Sequence, residues 1–313
     1  MTYNINLFHS DNILEFWFSI KGQKGIKVVY KEEGVEKGRL VGLLFSDTGI
    51  KNYFSRRCII WGGPVISDDV SDRDKVFEAL MNSFIEKLKG KAIYIEFRNL
   101  FDCSEFHSLF TSFGFQFSEH LNFINLLDNE NLVKKRIRGN KLREIKKSLK
   151  AGAEIVESKD ESEISDFYKL LSKLYKTKIK TPLPCLEYFL NFSKYNIGPF
   201  LLIRFQNKII GGLMLGVYNG VVYAIYSCGE NGKYQDVYES VLAFWAGLEY
   251  GLNNGLKYFD FLGAGKPNED YGVREFKLKF GGEIVNYGRY KLILNKTLYA
   301  VGEIGLGLIK KYA

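Results

Sequence analysis

Apolar residues fall along this chain in short runs separated by charge and glycine, and the spacing of those runs changes repeatedly between two periods. Runs at 26–30, 40–45, Arg57–Trp61 and 92–97 are rich in β-branched and aromatic residues, which predicts strands. Residues 72–89 instead place Val76, Leu80, Phe84 and Leu88 three to four apart, the period of an amphipathic helix, with Gly90 as its stop. A second helix is expected over 104–112 and one long strand over 115–127. The middle of the chain reads as helices at 140–149, 161–175 and 184–192, the last two separated by the turn Thr181-Pro-Leu-Pro. Leu142, Ile145 and Leu149 would form the buried side of the 140–149 helix.

Three apolar runs follow at 199–205, 209–217 and 221–227, and Asn219-Gly220 marks a hairpin between the last two. Residues 236–253 give the clearest helical stripe: Val237, Val241, Phe244, Trp245, Leu248 and Leu252. Asp236 with Glu239 fits a capping-box pattern, and Gly255 ends the helix. A strand at 257–262, another at 283–294 and an amphipathic helix at 297–311 complete the chain. The rhythm of strands, helix and strand therefore occurs twice. It predicts an α/β protein of two related mixed-sheet domains: 1–130, a basic junction helix at 131–152, and 153–313.

Composition narrows the class. The 313 residues are 46% hydrophobic and 26% charged, enough apolar material for large cores and ordinary for a globular chain. No apolar stretch approaches the roughly 20 residues of a membrane span, and Asp11 and Glu15 interrupt what would have been a signal segment. Four scattered cysteines without paired spacing read as reduced thiols, so a cytoplasmic location is expected. Three dispersed histidines predict no metal site.

Charge is the exception to this even composition. Between 133 and 150, nine lysines and arginines face Glu144 alone, a local excess equal to the net +8 of the whole chain. A focused patch of this kind attracts a polyanion, an acidic membrane surface or a phosphorylated substrate. A solvated helix face is the plain alternative.

The densest chemistry lies at 258–283, YFDFLGAGKPNEDYGVREFKLKFGGE. Asp260 sits within an apolar strand run, where an isolated carboxylate is costly unless paired. Arg274 and Lys277 are the cations at hand, and capping the following glycine loop is the structural alternative for Asp260. Tyr226 and Tyr234 flank the polar loop 228–235 and would line an acceptor pocket, although Tyr226 equally suits a core strand position.

These residues carry a resemblance. The basic helix RIRGNKLREIKKSLKAGAEI (136–155), the aromatic strand Tyr223-Ala-Ile-Tyr-Ser and the run YFDF…YGVREFKLKFGG resemble the FemAB-like and BioF2-like branch of the Gcn5-related N-acyltransferase (GNAT) superfamily. Trp61-Gly-Gly-Pro and Gly114-Phe…Asn122-Phe-Ile-Asn-Leu are weaker echoes. The resemblance implies two tandem GNAT-like domains and transfer of an aminoacyl or acyl group to an amine of a cell-envelope precursor. Phe276 and Lys277 match the family's FK pair, which implies that Lys277 contacts the reacting carbonyl or the donor phosphate. Arg136, Arg138, Arg143 and Arg274 would serve an anionic acceptor, lipid-linked or nucleotide-linked.

No tightly bound cofactor is expected; the donor is an aminoacyl-tRNA or an acyl-CoA. Of the loop 229–236, where acyl-CoA enzymes hold pyrophosphate, only Gly232 and Lys233 suit a phosphate, while Glu230, Asp236 and Glu239 oppose it. An acetyl-CoA-dependent sugar N-acetyltransferase, and an inactive GNAT fold that binds RNA or a membrane surface, are the other readings.

Overall fold

A computed structural model describes residues 6–45, 52–230 and 232–312. Its fourteen strands are, in chain order, β1 (Gln23–Glu32), β2 (Val35–Phe45), β3 (Arg57–Trp61), β4 (Val65–Ile66), β5 (Tyr94–Arg98), β6 (Gln116–Ser118), β7 (Leu121–Leu126), β8 (Glu154–Ser158), β9 (Phe200–Phe205), β10 (Lys208–Tyr218), β11 (Val221–Gly229), β12 (Tyr258–Gly263), β13 (Glu283–Asn286) and β14 (Arg289–Ile293). They form two seven-stranded sheets. The first runs β1-β2-β3-β5-β14-β6, with β4 paired to β2; the second runs β13-β7-β12-β11-β10-β9-β8.

The chain divides into two compact units, Met1–His120 with Asn286–Ala313, and Leu121–Val285. These limits differ from the expected division at 130 and 152. The expected strand 115–127 breaks at Glu119-His120 into β6 and β7, which lie in different sheets. The expected strand 283–294 breaks in the same way at Tyr287-Gly288, where Gly288 takes φ +66°, a conformation glycine adopts at little cost. The basic helix is therefore part of the second unit, and the last strand returns to the first.

In the first unit, the helix Arg73–Leu88 is capped by Asp72 and buries Val76, Phe77, Leu80, Met81 and Phe84 against the sheet. The parallel pair β3–β5 stays in register for five residues, from Arg57↔Tyr94 to Trp61↔Arg98. A helix at Asp11–Phe18, started by the Ser10 hydroxyl, has no counterpart among the sequence expectations.

In the second unit, the hairpin turn is as expected: Asn219 and Gly220 both have positive φ, and β10 and β11 pair on either side. The long helix begins later than expected, at Glu239, with Tyr238 as a cap that offers no side-chain bond. Asp236 does not cap it. It adopts φ +58° and pairs with Lys147 at 3.0 Å. This helix lies close on the sheet because Gly247 faces Phe259 and Leu213, whose atoms would stand 2.7 and 2.8 Å from any added Cβ. Among the described residues, no helix is long and apolar enough to cross a membrane.

Candidate active site

The second unit's parallel pair is short. β11 and β12 align only over Val221–Tyr223 and Tyr258–Asp260. Beyond Asp260, β12 shifts register against β7, and Leu262 is forced to φ +58°. A bulge of this kind unpairs backbone groups inside an apolar core, and each must find another partner. Two side chains supply them. Asp260 accepts the Leu262 N–H at 2.6 Å, and the Lys277 ammonium donates to the carbonyls of Phe261 (2.6 Å) and Gly263 (2.8 Å). Lys277 arrives on a short helix, Gly272–Lys277, whose start is shaped by the preceding loop.

Both groups are buried, Asp260 at 3% exposure and Lys277 at 7%. Burial pushes the Asp260 carboxyl up to about 7, against the opposing pull of the Leu262 amide and Lys277. Burial pushes the Lys277 amine down to about 8, and Asp260 partly restores it. Two titrations are thus brought to within reach of neutral pH beside a strand opening, an arrangement characteristic of reactive sites. After its two carbonyl bonds, the Lys277 ammonium retains one N–H.

Tyr226 lies on β11, next to a bulge in the β10–β11 register. Around its ring stand Phe189 at 5.3 Å, Tyr175 at 6.1 Å and Tyr188 at 6.3 Å. Burial raises the phenols of Tyr175 and Tyr188, and Tyr271 adds to the shift at Tyr175. Tyr271 directly precedes the Lys277 helix. Tyr175, Tyr188 and Tyr271 were not singled out in the sequence. Their aromatic character was the only signal, and in a chain with 20 tyrosines it does not discriminate.

The remaining expected site residues are more dispersed. Phe276 packs on Phe244 and Phe280, as part of the core. Arg274 donates to the carbonyls of Ala264, Lys266 and Glu269, clamping the loop after β12. Arg136 binds the Asp128 carboxylate and the Leu126 carbonyl. These contacts give Arg274 and Arg136 structural work within the fold.

The basic helix, Gly139–Lys150, is less basic in space than in sequence. Lys141 is buried against Phe276 and paired to Glu144, while Leu149, expected inside, is 45% exposed. Lys134, Arg136, Lys141 and Lys147 all have carboxylate partners. Lys135 and Arg138 before this helix, and Arg143, Lys146 and Lys150 on it, remain exposed.

The loop before the long helix is unlike a phosphate cradle. Gly232 has φ +82° and open space around it, but Lys233 is held by Glu230 at 2.9 Å and lies over the Tyr234 ring. Tyr234 in turn packs on Phe205 and reaches Glu230. At the helix start, Glu239 is 1% exposed and neither carboxylate oxygen has a hydrogen-bond partner. Burial raises its pKa against the pull of its own backbone amide, and Glu230 raises it further. A helix N-terminus would favour an anion, and here the protein's own carboxyl fills that place. Among the described residues, no cluster of His, Cys, Asp and Glu could hold a metal ion.

A profile of the FemAB family matches residues 206–304, the segment that carries β12, the bulge and Lys277. FemX superposes with a TM-score of 0.73 at 15% identity, covering 95% of this chain and 94% of FemX. L-PGS from Bacillus licheniformis gives 0.60 at 13% identity, covering 93% and 91%. A tandem GNAT protein from the clavulanic acid biosynthesis pathway gives 0.56 at 11%, covering 88% and 84%. No curated protein matches the chain over its sequence. The chain therefore shares its fold with FemX, L-PGS and this tandem GNAT protein, and its residues 206–304 match the FemAB family.

Proposed function

We propose that the chain is a FemAB-like aminoacyltransferase that moves an aminoacyl group from an activated ester to an amine of a cell-envelope precursor. The observation that carries this reading is the buried Lys277 amine, set at the opened parallel pair inside the FemAB-matched segment. In such a transfer the acceptor nitrogen bonds to the acyl carbon and the ester C–O bond breaks. The amine loses a proton, and the departing oxygen takes one up. The remaining N–H of Lys277 serves the developing oxyanion or the departing oxygen, where a charge-assisted hydrogen bond is strong. Asp260 acts as a positioning residue, holding the bulge that aims the amine.

Glu239 and Glu230 favour an aminoacyl-tRNA over an acyl-CoA as donor, because a pyrophosphate would meet a buried carboxyl where it needs backbone amides. The exposed cations Arg138, Arg143, Lys146 and Lys150 suit the tRNA or a lipid-linked or nucleotide-linked acceptor, in the cytoplasm or at the inner face of a membrane. The test is aminoacyl transfer from charged tRNA to a peptidoglycan precursor, comparing the native protein with Lys277→Ala at matched folding. Turnover unchanged by Lys277→Ala would remove the assignment. Micromolar binding of acetyl-CoA by calorimetry would replace the donor and favour an N-acetyltransferase.

A further inference from the structure

The first unit carries a second concentration of charge, on the sheet face turned away from the Arg73–Leu88 helix. Alternate residues of three neighbouring strands meet there in register. Arg57 lies beside Tyr94, Ile59 beside Glu96 and Trp61 beside Arg98. On the other side of β5, Arg289 lies beside Arg98 and Lys291 beside Glu96. Glu96 is 6% exposed and takes three cations: Arg98 Nε at 2.7 Å, Lys291 Nζ at 3.3 Å and Arg289 Nη1 at 3.4 Å. Their pull holds the Glu96 carboxyl below its ordinary range despite burial, so this group is a full negative charge. With Arg57, four cations share this face with the Glu96 carboxylate.

These cations are held in place from below. Arg98 lies 5.8 Å over the Trp61 ring, Arg57 lies 4.8 Å over Phe45, and Lys291 lies between Tyr94 and Tyr299. Arg289 also reaches His120 at 2.7 Å. The side chains of Arg98, Arg289 and Lys291 keep 35%, 27% and 36% of their exposure, so part of each faces solvent. Arg98 and Trp61 are the last residues of the parallel pair, and ligands of open α/β sheets bind beyond the carboxyl ends of such strands.

We propose that this face is a binding site for a compact phosphate-type anion, a diphosphate in particular, with Arg98, Arg289 and Lys291 as its donors and Arg57 at its margin. Fixed, half-buried guanidinium groups match phosphate oxygens in pairs, and guanidinium and ammonium donors set side by side match the several oxygens of a diphosphate. Glu96 is an internal counter-anion that orients the donors and competes with the ligand. The site stands whether or not the second unit transfers an acyl group.

The experiment is calorimetric titration of the full-length protein with inorganic pyrophosphate at low ionic strength. Saturable binding is expected. Lys291→Met and Arg289→Met should each weaken it about tenfold, the loss of one charge-assisted bond. Lys31→Met, on β1 away from the cluster, should leave it unchanged. Glu96→Gln, checked for folding by circular dichroism, should tighten it. If that variant unfolds, Lys291→Met decides. No binding by the native protein overturns the proposal. So does binding that survives Lys291→Met and Arg289→Met, or binding of RNA that pyrophosphate does not displace.

Discussion

The two units each lay a parallel strand pair beneath a crossing helix, and then treat that pair in opposite ways. In the first, β3 and β5 stay aligned for five residues to their ends at Trp61 and Arg98. In the second, β11 and β12 part after three, and β12 bulges at once. The closed pair satisfies its own backbone and leaves its side chains free to form a charged face. The open pair leaves carbonyls over, so it recruits Lys277 and Asp260 into the core. The difference teaches that the reactive groups are drawn in by a backbone defect, and that the same architecture without the defect has no use for a buried lysine.

Lys277→Ala attacks that contrast most directly. It should cut transfer by about a hundredfold, the typical weight of one oxyanion or proton-transfer donor. It should also leave the Phe261 and Gly263 carbonyls without their partner, costing roughly 1–3 kcal/mol for each buried group. Steady-state rates and urea unfolding separate the two losses. An unchanged rate with the full stability loss would make Lys277 a bulge support and nothing more.

Hydrogen exchange tests the same contrast without substitution. Amides of β3 and β5 should be protected by several kcal/mol more than those of 261–263, since only the former sit in a continuous ladder. Equal protection would mean that the second unit's opening is tightly held by contacts other than the ladder.

Asp260→Asn gives a smaller, pH-dependent effect. The native carboxyl's pKa is raised from 3.8 to about 7, so its folded form holds a proton that the unfolded chain has lost. Native stability should therefore fall as pH rises from about 4 to 7. The variant, which can still accept the Leu262 N–H, should lack that fall and gain on the native protein across the window. Lys277, lowered from 10.5 to about 8, acts in the other direction above neutrality, where stability should recover between about 8 and 10.5. Melting temperatures measured from pH 4 to 10 check both arms, and a flat difference would sink the assignment of the Asp260 titration. The smallest effect belongs to Lys147→Met, which breaks an exposed pair with Asp236 and should leave the midpoint of chemical denaturation nearly unchanged.

Much of this was legible in the sequence because it is local. The apolar runs of β3 and β9–β12, the Asn219-Gly220 turn and the stripe of the 72–89 helix each announce themselves within a dozen residues. Asp260 announced itself as well, as a carboxylate with no right to an apolar strand without a partner. What escaped depends on distant pairing. Nothing near Glu119-His120 says that β6 and β7 belong to different sheets, and nothing near Arg289 says that it will lie beside Arg98. Leu149, expected inside, is exposed, while Lys141 is buried with its ammonium over the ring of Phe276, far along the chain. Glu239 read as half of a capping box; instead it is buried against the paired glycines 211 and 229.

The return of β14 to the first sheet bears on the order in which the protein is made. This strand lies inside that sheet, between β5 and β6, and its partners on β5 were synthesised nearly two hundred residues earlier. The second unit, by contrast, is one unbroken stretch of chain. On a ribosome the second unit has all its strands before the first has its last one. The first must wait with β5 and β6 unbridged, two exposed edges in search of a strand. A nascent chain halted before residue 289 should thus present a folded second unit and an unfinished, protease-sensitive first one.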